Sequence, residues 1–176
     1  PGGPAVEQAA RRGKPGRFDL PRPMVGRTEP NFSFAGLKPA VRRAAEKIAP
    51  LTDQDVADLS AAFEEAVSVS VADRCQRAMR MTAEQLGSAA PLHFVVAGGV
   101  AANERLRSEL GNLCREHGFT FHAPPIPLCS DNAAMVAWAA AERLAAGHSD
   151  ELSAPVRPRW PLDRNAKPAI GAGVKA

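Results

Sequence analysis

The chain has 176 residues, of which 45% are hydrophobic and 23% are charged, and its formal net charge is +3. It is long enough to bury one sizeable core. It contains no apolar run close to the ~20 residues of a transmembrane helix and no visible signal peptide, although a truncated start would remove one. We therefore exclude a membrane-spanning protein and expect a cytoplasmic one.

Short elements are predicted before residue 50. A helix is expected over 6–12, within a glycine-marked segment that runs to residue 16. Residues 18–23 and 31–34 alternate apolar and polar side chains between proline and glycine, a pattern typical of two antiparallel strands. A second helix is predicted over 39–48.

The longest amphipathic segment begins after Thr52-Asp53-Gln54-Asp55 and extends from Asp55 to about Leu86. The leading residues are typical of a capped helix N-terminus. Apolar residues then recur at roughly helical spacing, which favours a face buried in the core over a ligand site. They are Val56, Leu59, Phe63, Val67, Val71, Cys75, Met79 and Leu86.

The most informative local pattern is an apolar strand that leads through two glycines into a helix. The strand is predicted over 92–97 and the helix over 101–116, with Asn103 in its first turn. Gly98 and Gly99 permit positive φ and close approach of a ligand, and a helix N-terminus offers unpaired N–H groups to a phosphate. A nucleotide site is one interpretation. A plain tight turn of an α/β domain is the other.

A second pattern follows a short strand near 120–122. The segment Cys129-Ser130-Asp131-Asn132-Ala133-Ala134-Met135 opens a helix predicted over 132–146, which Gly147 ends. Ser130 or Asp131 is the expected N-cap. Capping alone would therefore explain an acidic residue at this position.

The two patterns together resemble the tRNA adenosine threonylcarbamoyltransferases, the family called TsaD in bacteria. There, a Gly-Gly-Val-Ala-Ala-Asn-like segment precedes a Cys-Thr-Asp-Asn-Ala-Ala-Met-like segment at about the separation found here. The resemblance covers nearly the whole chain, because five ordered segments agree. The other three are Pro1-Gly2-Gly3-Pro4, Phe32-Ser33-Phe34-Ala35-Gly36-Leu37-Lys38 and Arg157-Pro158-Arg159-Trp160-Pro161-Leu162.

The resemblance implies an α/β fold, one lobe of an actin/Hsp70/sugar-kinase-like architecture with a mixed sheet flanked by helices. It implies transfer of threonylcarbamoyl from threonylcarbamoyl-adenylate to the adenosine beside the anticodon of tRNAs that read codons beginning with A. Gly3, Gly98, Gly99 and Asn103 would contact the nucleotide. Asp131 would be one ligand of a divalent metal, iron or zinc. None of these residues is implied to be catalytic.

The chain departs from the family pattern in two ways. Ala35, Pro39 and Ser130 stand where serine, threonine and threonine are usual. The family's N-terminal half, with its His-x-x-x-His metal pair and Ser-Gly-Gly phosphate loop, has no counterpart, and no two of the four histidines are four positions apart. We therefore expect the C-terminal portion of such an enzyme, inactive and weak in metal binding by itself.

The residues alone leave two other interpretations of the function open. One is another ATP-dependent carbamoyltransferase or kinase of the same fold superfamily, and another is a noncatalytic fragment. The expected organisation is an N-terminal segment (1–50), a nucleotide-site lobe (51–165) and a disordered tail (166–176). The resemblance implies tRNA, a paralogous dimerisation subunit and an ATPase subunit as partners, with no membrane.

Charge and cysteine usage add weaker expectations. Three basic clusters can line a tRNA path or be ordinary solvated faces. The cysteines have no paired spacing and are expected to be reduced, mostly buried thiols. The clusters are Arg11, Arg12, Lys14 and Arg17, then Arg42, Arg43 and Lys47, then Arg157, Arg159, Arg164 and Lys167; the cysteines are Cys75, Cys114 and Cys129.

Overall fold

The computed structural model describes residues 2–87 and 91–154. Within these ranges the chain forms five α-helices, two β-strands and three short 3₁₀ turns. The helices and strands are α1 (Gly2–Ala10), α2 (Leu37–Lys47), α3 (Asp53–Leu86), β1 (His93–Val95), α4 (Glu104–His117), β2 (Thr120–His122) and α5 (Ala133–Ala145). The 3₁₀ turns are Pro15–Arg17, Gly99–Ala102 and Ile126–Leu128.

Helix α3 is 34 residues long and contains neither glycine nor proline, so nothing in its sequence interrupts the helical hydrogen bonds. The predicted N-terminal signature is confirmed as a capping box. The Asp55 N–H donates to Thr52 Oγ1 at 3.2 Å, and the Thr52 N–H donates to Asp55 Oδ2 at 2.9 Å. The helix ends at Gly87, whose φ of 58° is positive.

Helices α1, α2 and α4 and the turn Pro15–Arg17 all pack on α3. Small side chains on α3 let them come close; four of them are alanines exposed by 4% or less, Ala57, Ala61, Ala62 and Ala66. The closest approach is at Gly13, where a Cβ would lie 2.0 Å from the carbonyl oxygen of Ala57. Only glycine fits there, a requirement that the sequence alone did not reveal.

The core has two clusters on either side of α3. One joins α3 to α4 and the strands, and the other joins α3 to α2 and the segment before it. The buried residues of the first are Cys75, Met79, Leu110, Leu113, Cys114 and Phe119. Those of the second are Leu20, Leu37, Ala62 and Ala66.

Strands β1 and β2 form a parallel pair with α4 between them in the chain, in the register His93↔Thr120 to Val95↔His122. Phe94 and Phe121 face the first core cluster with ring centroids 6.5 Å apart. The α/β class is thus confirmed for the described residues. Their sheet is parallel, however, and the mixed sheet that we expected is not seen among them.

The two antiparallel strands predicted over 18–23 and 31–34 were wrong, because both segments are irregular. Pro21 and Pro23 lack the N–H that a strand ladder needs. The alternating pattern was still informative about burial, since Phe18 and Leu20 pack into the second core cluster.

For residues 27–29, side chains of α3 supply the hydrogen bonds that a neighbouring β-strand would otherwise supply. The guanidinium of Arg74, which is 2% exposed, donates to the carbonyl oxygens of Arg27 at 2.9 Å and Glu29 at 2.6 Å. Arg77 Nε donates to the Thr28 oxygen at 2.7 Å. Because these carbonyls already have donors, the segment needs no partner strand.

The described chain divides into one compact unit that ends at Asn132 and a second that begins at Ala133. Helices α1 and α2 pack on α3 within the first of these units. In the second unit α5 has no buried residue, and Arg143 forms an ion pair with Asp150 at 2.8 Å. The expected tail, 166–176, lies outside the described residues.

None of the described helices combines the length and the apolar character that a membrane crossing requires.

Two carboxylates near the start of α3 hold the turn Pro15–Arg17. Asp58, 3% exposed, accepts from the Lys14 N–H at 2.8 Å and from Arg17 Nη1 at 2.9 Å, and Arg17 also pairs with Asp55. The Thr52 hydroxyl and N–H, followed by Arg17, lower the pKa of Asp55 to about 2. The Lys14 N–H and Arg17 also lower the pKa of Asp58.

These pKa shifts predict acid sensitivity. The ordinary pKa of Asp55 is 3.8 and the folded value is about 2, so the unfolded chain binds this proton first. The free energy of unfolding should therefore fall as the pH drops through this interval. In Asp55→Asn the fall should be smaller, because the group no longer titrates. Chemical unfolding at several pH values measures it.

Asp53→Asn is the matched control, because it removes a neighbouring carboxylate that takes no part in the bonds to Thr52 or Arg17. It should keep the full acid-dependent fall. An identical pH dependence in Asp55→Asn and the wild-type chain would contradict the role given to Asp55.

Candidate functional site

The loop after β1 depends on the conformation of Gly98. Its φ of 82° and ψ of −179° lie in a region that is essentially restricted to glycine. A Cβ at Gly98 would meet nothing within 4 Å, so the requirement is for this backbone conformation and not for space. Gly98 turns the chain from the strand into the 3₁₀ turn Gly99–Ala102.

The 3₁₀ turn lies beside the loop that leads to Asp131. Ala101 is 1% exposed and Cys129 is 2% exposed. A Cβ on Gly99 would lie 3.8 Å from the carbonyl oxygen of Cys129, an ordinary contact distance. The two glycines therefore differ, since the fold requires glycine at 98 but has room for a methyl group at 99.

Asn103 is the N-cap of α4 and does not lie in its first turn, where we had placed it. The Leu106 N–H donates to Asn103 Oδ1 at 2.9 Å, and Asn103 Nδ2 donates to Glu64 Oε1 on α3 at 2.8 Å. The helix accordingly begins at Glu104. An Asn amide has two N–H donors and two acceptor lone pairs, so these two bonds use half of its capacity.

The N-terminus of α4 is less open to an anion than the sequence suggested. The Glu104 N–H donates to Glu7 Oε1 of α1 at 3.0 Å. Arg11 of α1 pairs with the Glu104 carboxylate at 2.9 Å. A carboxylate of the chain itself thus lies at the positive end of the helix dipole, and these contacts hold α1 against the start of α4.

A cavity of about 710 Å³ lies between α1, α3, the 3₁₀ turn and the start of α4. It brings together three of the expected nucleotide contacts, Gly3, Gly99 and Asn103. Gly98 and Asp131 do not line it. The lining residues are Gly3, Pro4, Val6, Glu7, Phe63, Glu64, Val67, Gly99, Val100, Ala102, Asn103 and Leu106.

The charge of this cavity limits what it can bind. Its charged lining residues are Glu7 and Glu64, and no lysine or arginine is among them. Carboxylates accept hydrogen bonds from hydroxyl and amino groups and repel phosphate. Arginines lie 3.7 Å from Glu7 and 3.9 Å from Glu64 and weaken that repulsion. The cavity therefore offers acceptors to the hydroxyl and amino groups of a nucleoside, and its own lining offers a phosphate no basic partner.

A second, apolar cavity of about 570 Å³ lies on the other side of the 3₁₀ turn. Phe63, Val67 and Val71 line it and also pack against the core clusters, as the sequence predicted. The ends of the stripe on α3 differ: Leu59, Cys75 and Met79 are buried, while Val56 and Leu86 are 43% and 50% exposed. Phe32 and Phe34, which the sequence placed in a predicted strand over 31–34, also line this cavity.

Asp131 lies in the exposed loop before α5. Because α5 begins at Ala133, the residue directly before the helix is Asn132, and not Ser130 or Asp131 as expected. The described residues contain no group of three His, Cys, Asp or Glu side chains placed to hold a metal ion. One carboxylate does not satisfy zinc or iron, so the described residues alone do not make the site.

Two imidazoles do lie together elsewhere. His93 Nδ1 and His122 Nε2 are 2.9 Å apart on the sheet, but no third ligand accompanies them within the described ranges. They are therefore no substitute for the metal-binding histidines that the resemblance implied upstream.

The cysteines are free and buried, as expected. Burial, with a smaller contribution from Cys114, raises the pKa of the Cys75 thiol to about 11. Burial also raises the pKa of Cys114. Cys129 accepts a hydrogen bond from Arg107 Nη2 at 3.1 Å. The two thiols with raised pKa are poor nucleophiles, and the contacts of Cys129 hold its loop in place.

The first two basic clusters are partly neutralised within the fold. Arg11 pairs with Glu7 and Glu104, Arg17 pairs with two aspartates of α3, and Arg42 pairs with Glu46. The exposed members with no ion pair in the described chain are Arg12, Lys14, Arg43 and Lys47. The third cluster lies outside the described residues.

Comparison with known proteins gives a consistent match. The family model described as TsaD, tRNA N6-adenosine threonylcarbamoyltransferase, matches residues 1–138. Proteins with that name from Sinorhizobium medicae (strain WSM419) and Rhizobium meliloti (strain 1021) are each 56% identical over 174 residues. The one from Brucella suis (strain ATCC 23445 / NCTC 10510) is 52% identical over 173 residues.

These alignments cover 98% of this chain and 48% of each of the three relatives. The chain therefore spans about half the length of the curated relatives it matches.

The two glycines of the loop predict different effects on stability. Gly98→Ala should lower the free energy of unfolding by about 1–3 kcal/mol, because alanine must adopt a strained backbone conformation. Gly99→Ala should leave it nearly unchanged, because a methyl group fits beside Cys129. Chemical unfolding of both variants tests this, and equal losses would contradict the assignment of the conformational role to Gly98.

The cap at Asn103 predicts a separate effect. Asn103→Ala should cost about 1 kcal/mol, because the Leu106 N–H loses its acceptor. Asn103→Ser should cost less than alanine, because serine also caps helices, whereas both variants lose the bond from Nδ2 to Glu64. In a chain of this size the alanine variant should melt about 2–4 °C lower. If alanine and serine give the same melting temperature as asparagine, the cap contributes nothing.

Proposed function

This chain belongs to the tRNA N6-adenosine threonylcarbamoyltransferase family, and we propose that it is the C-terminal part of such an enzyme. In the reaction, the exocyclic amine of the adenosine beside the tRNA anticodon attacks the carbamoyl carbon of threonylcarbamoyl-adenylate. A carbon–nitrogen bond forms, the bond from that carbon to the phosphate oxygen breaks, and AMP leaves. The amine loses one proton. The tRNAs concerned read codons that begin with A.

The observation that carries this proposal is the cavity where Gly3, Gly99 and Asn103 meet. Gly3 and Gly99 present backbone without a Cβ, so a flat base or a ribose can lie against them. Asn103 retains one N–H and one lone pair beyond its two intramolecular bonds. Its amide can therefore cap the helix and contact a nucleoside at the same time.

The same cavity indicates that different parts of the enzyme bind the nucleoside and the phosphate of the adenylate. Glu7 and Glu64 favour donors such as ribose hydroxyls and disfavour the phosphate. We infer that this chain holds the nucleoside and that phosphate contacts come from the half of the enzyme that it lacks. Gly98 contributes by setting the turn that presents Gly99.

For the metal, we propose that Asp131 is one ligand of a divalent ion, iron or zinc, completed by histidines outside this chain. When bound, such an ion supplies Lewis-acid polarisation of substrate oxygens. The exposed carboxylate of Asp131 is compatible with this role, but a complete site needs more donors than the described residues provide. The isolated chain should therefore bind metal weakly and be inactive.

The remaining parts of the proposal rest on the family. We propose that the first compact unit belongs to one lobe of an actin/Hsp70/sugar-kinase-like fold, that the full-length enzyme binds tRNA in the cytoplasm, and that a paralogous dimerisation subunit and an ATPase subunit are its partners. The family match argues against the alternative of another ATP-dependent carbamoyltransferase or kinase of the same fold superfamily.

The test is a transfer assay with the full-length enzyme, threonylcarbamoyl-adenylate and tRNA. The wild-type enzyme should modify the tRNA. Asn103→Ser should weaken adenylate binding by the ~1–3 kcal/mol of a stranded hydrogen-bond partner, while its melting temperature stays above that of Asn103→Ala because serine keeps the cap. Calorimetric titration with a non-reactive adenylate analogue measures the affinity.

Asn112→Ser on the exposed side of α4 is the matched control and should bind normally. A wild-type enzyme that leaves the tRNA unmodified would disprove the proposed function. Normal adenylate affinity in Asn103→Ser would remove Asn103 from the nucleotide contacts.

A further inference from the structure

Arg107, on the second turn of α4, contacts both loops of the proposed site. Its Nε donates to the carbonyl oxygen of Ala101 in the 3₁₀ turn. Its Nη2 donates to the carbonyl oxygen of Pro124 and to Cys129 Sγ, the latter at 3.1 Å. One guanidinium therefore joins the loop that follows β1 to the loop that follows β2.

Two further contacts occur at the same junction. The Cys129 thiol donates to the Pro124 oxygen at 3.6 Å. Gly99 lies close to the carbonyl oxygen of Cys129. Ala101 and Cys129 are both buried, so loss of the guanidinium would leave acceptors without a partner in a site with little access to water.

Within each loop the backbone hydrogen bonds are local: Ala101 N–H donates to the Gly98 oxygen, and Cys129 N–H donates to the Ile126 oxygen. The last backbone bond between the two strands, from the Val96 N–H to the His122 oxygen at 2.9 Å, lies where the loops begin. Beyond that bond, Arg107 supplies a side-chain connection between the loops.

We propose that Arg107 is a positioning residue that fixes the nucleoside wall at Gly99 and Asn103 relative to the loop that carries Asp131. The inference rests on the proposed function, because it assigns Gly99 and Asp131 to one reaction site. Arginine is required because its planar fork reaches three acceptors in fixed directions. Lysine offers a single ammonium centre and cannot reproduce that geometry.

The first experiment uses the 176-residue chain and does not depend on activity. Amide hydrogen exchange is measured in the wild type, Arg107→Met and Arg107→Lys. Arg115→Met, at the exposed end of the same helix, is the control. Arg107→Met should raise exchange about tenfold at Ala101 and Asn103 and also at Leu128 and Cys129, with no change in Arg115→Met. Exchange that is unchanged, or raised in only one of the two loops, overturns the proposal.

The second experiment uses the full-length enzyme. Arg107→Lys should lower kcat about 10- to 100-fold, the cost of misplaced reacting groups, while KM for tRNA stays within about twofold. A purely structural role would lower the melting temperature and leave kcat per folded molecule unchanged, which overturns the proposal.

The two experiments distinguish a failure of the proposed function from a failure of the positioning role of Arg107. If the wild-type enzyme does not transfer threonylcarbamoyl, the proposed function is wrong, and the exchange experiment still decides whether Arg107 couples the loops. If the wild type is active and Arg107→Lys keeps its kcat, the positioning role is wrong and the proposed function stands.

Discussion

The described structure depends on one uninterrupted helix, α3, whose ends are capped and whose sides contact other segments of the chain. The N-terminus of α3 is closed by the Thr52–Asp55 capping box, and the next turn supplies Asp58 to the turn Pro15–Arg17. Further along, Glu64 holds the Asn103 amide and Arg74 holds the segment 27–29. Because a helix of this length is stiff, these contacts place residues distant in sequence at fixed positions.

The candidate site follows from that arrangement. Its walls come from α1, α3 and the loop after β1, so no single segment contains the site. Asn103 shows how a structural role and a binding role can share one side chain: Oδ1 caps a helix and Nδ2 reaches α3, yet each atom keeps capacity for a ligand. A capping role and a nucleotide-binding role for Asn103 are therefore compatible.

The sequence predicted the features that local chemistry determines. Periodicity and capping residues predicted the cap and length of α3, the strand that leads into Gly98 and the strand near 120. They also predicted a helix over 39–48, which the structure places at Leu37–Lys47. Prediction from the sequence failed where a side chain distant in the chain determines the local structure. The alternation at residues 18–23 and 31–34 indicated strands, and nothing local shows that Arg74 will hold the carbonyls of Arg27 and Glu29 between them. Gly13 and Arg107 escaped notice for the same reason, since their neighbours are far away in the chain.

The parallel pairing of β1 and β2 has a consequence for the order of folding. Antiparallel strands can pair across a tight turn, but parallel strands must wait until the connecting helix has turned the chain back. Here that connection is α4, whose cap at Asn103 and C-terminal turn at Gly118, with a φ of 72°, define both ends locally. Helices of this kind form quickly from near neighbours, whereas contacts between distant residues form more slowly. The helix α4 can therefore form before the strands pair, and the two loops of the candidate site take their final positions only when the strands pair.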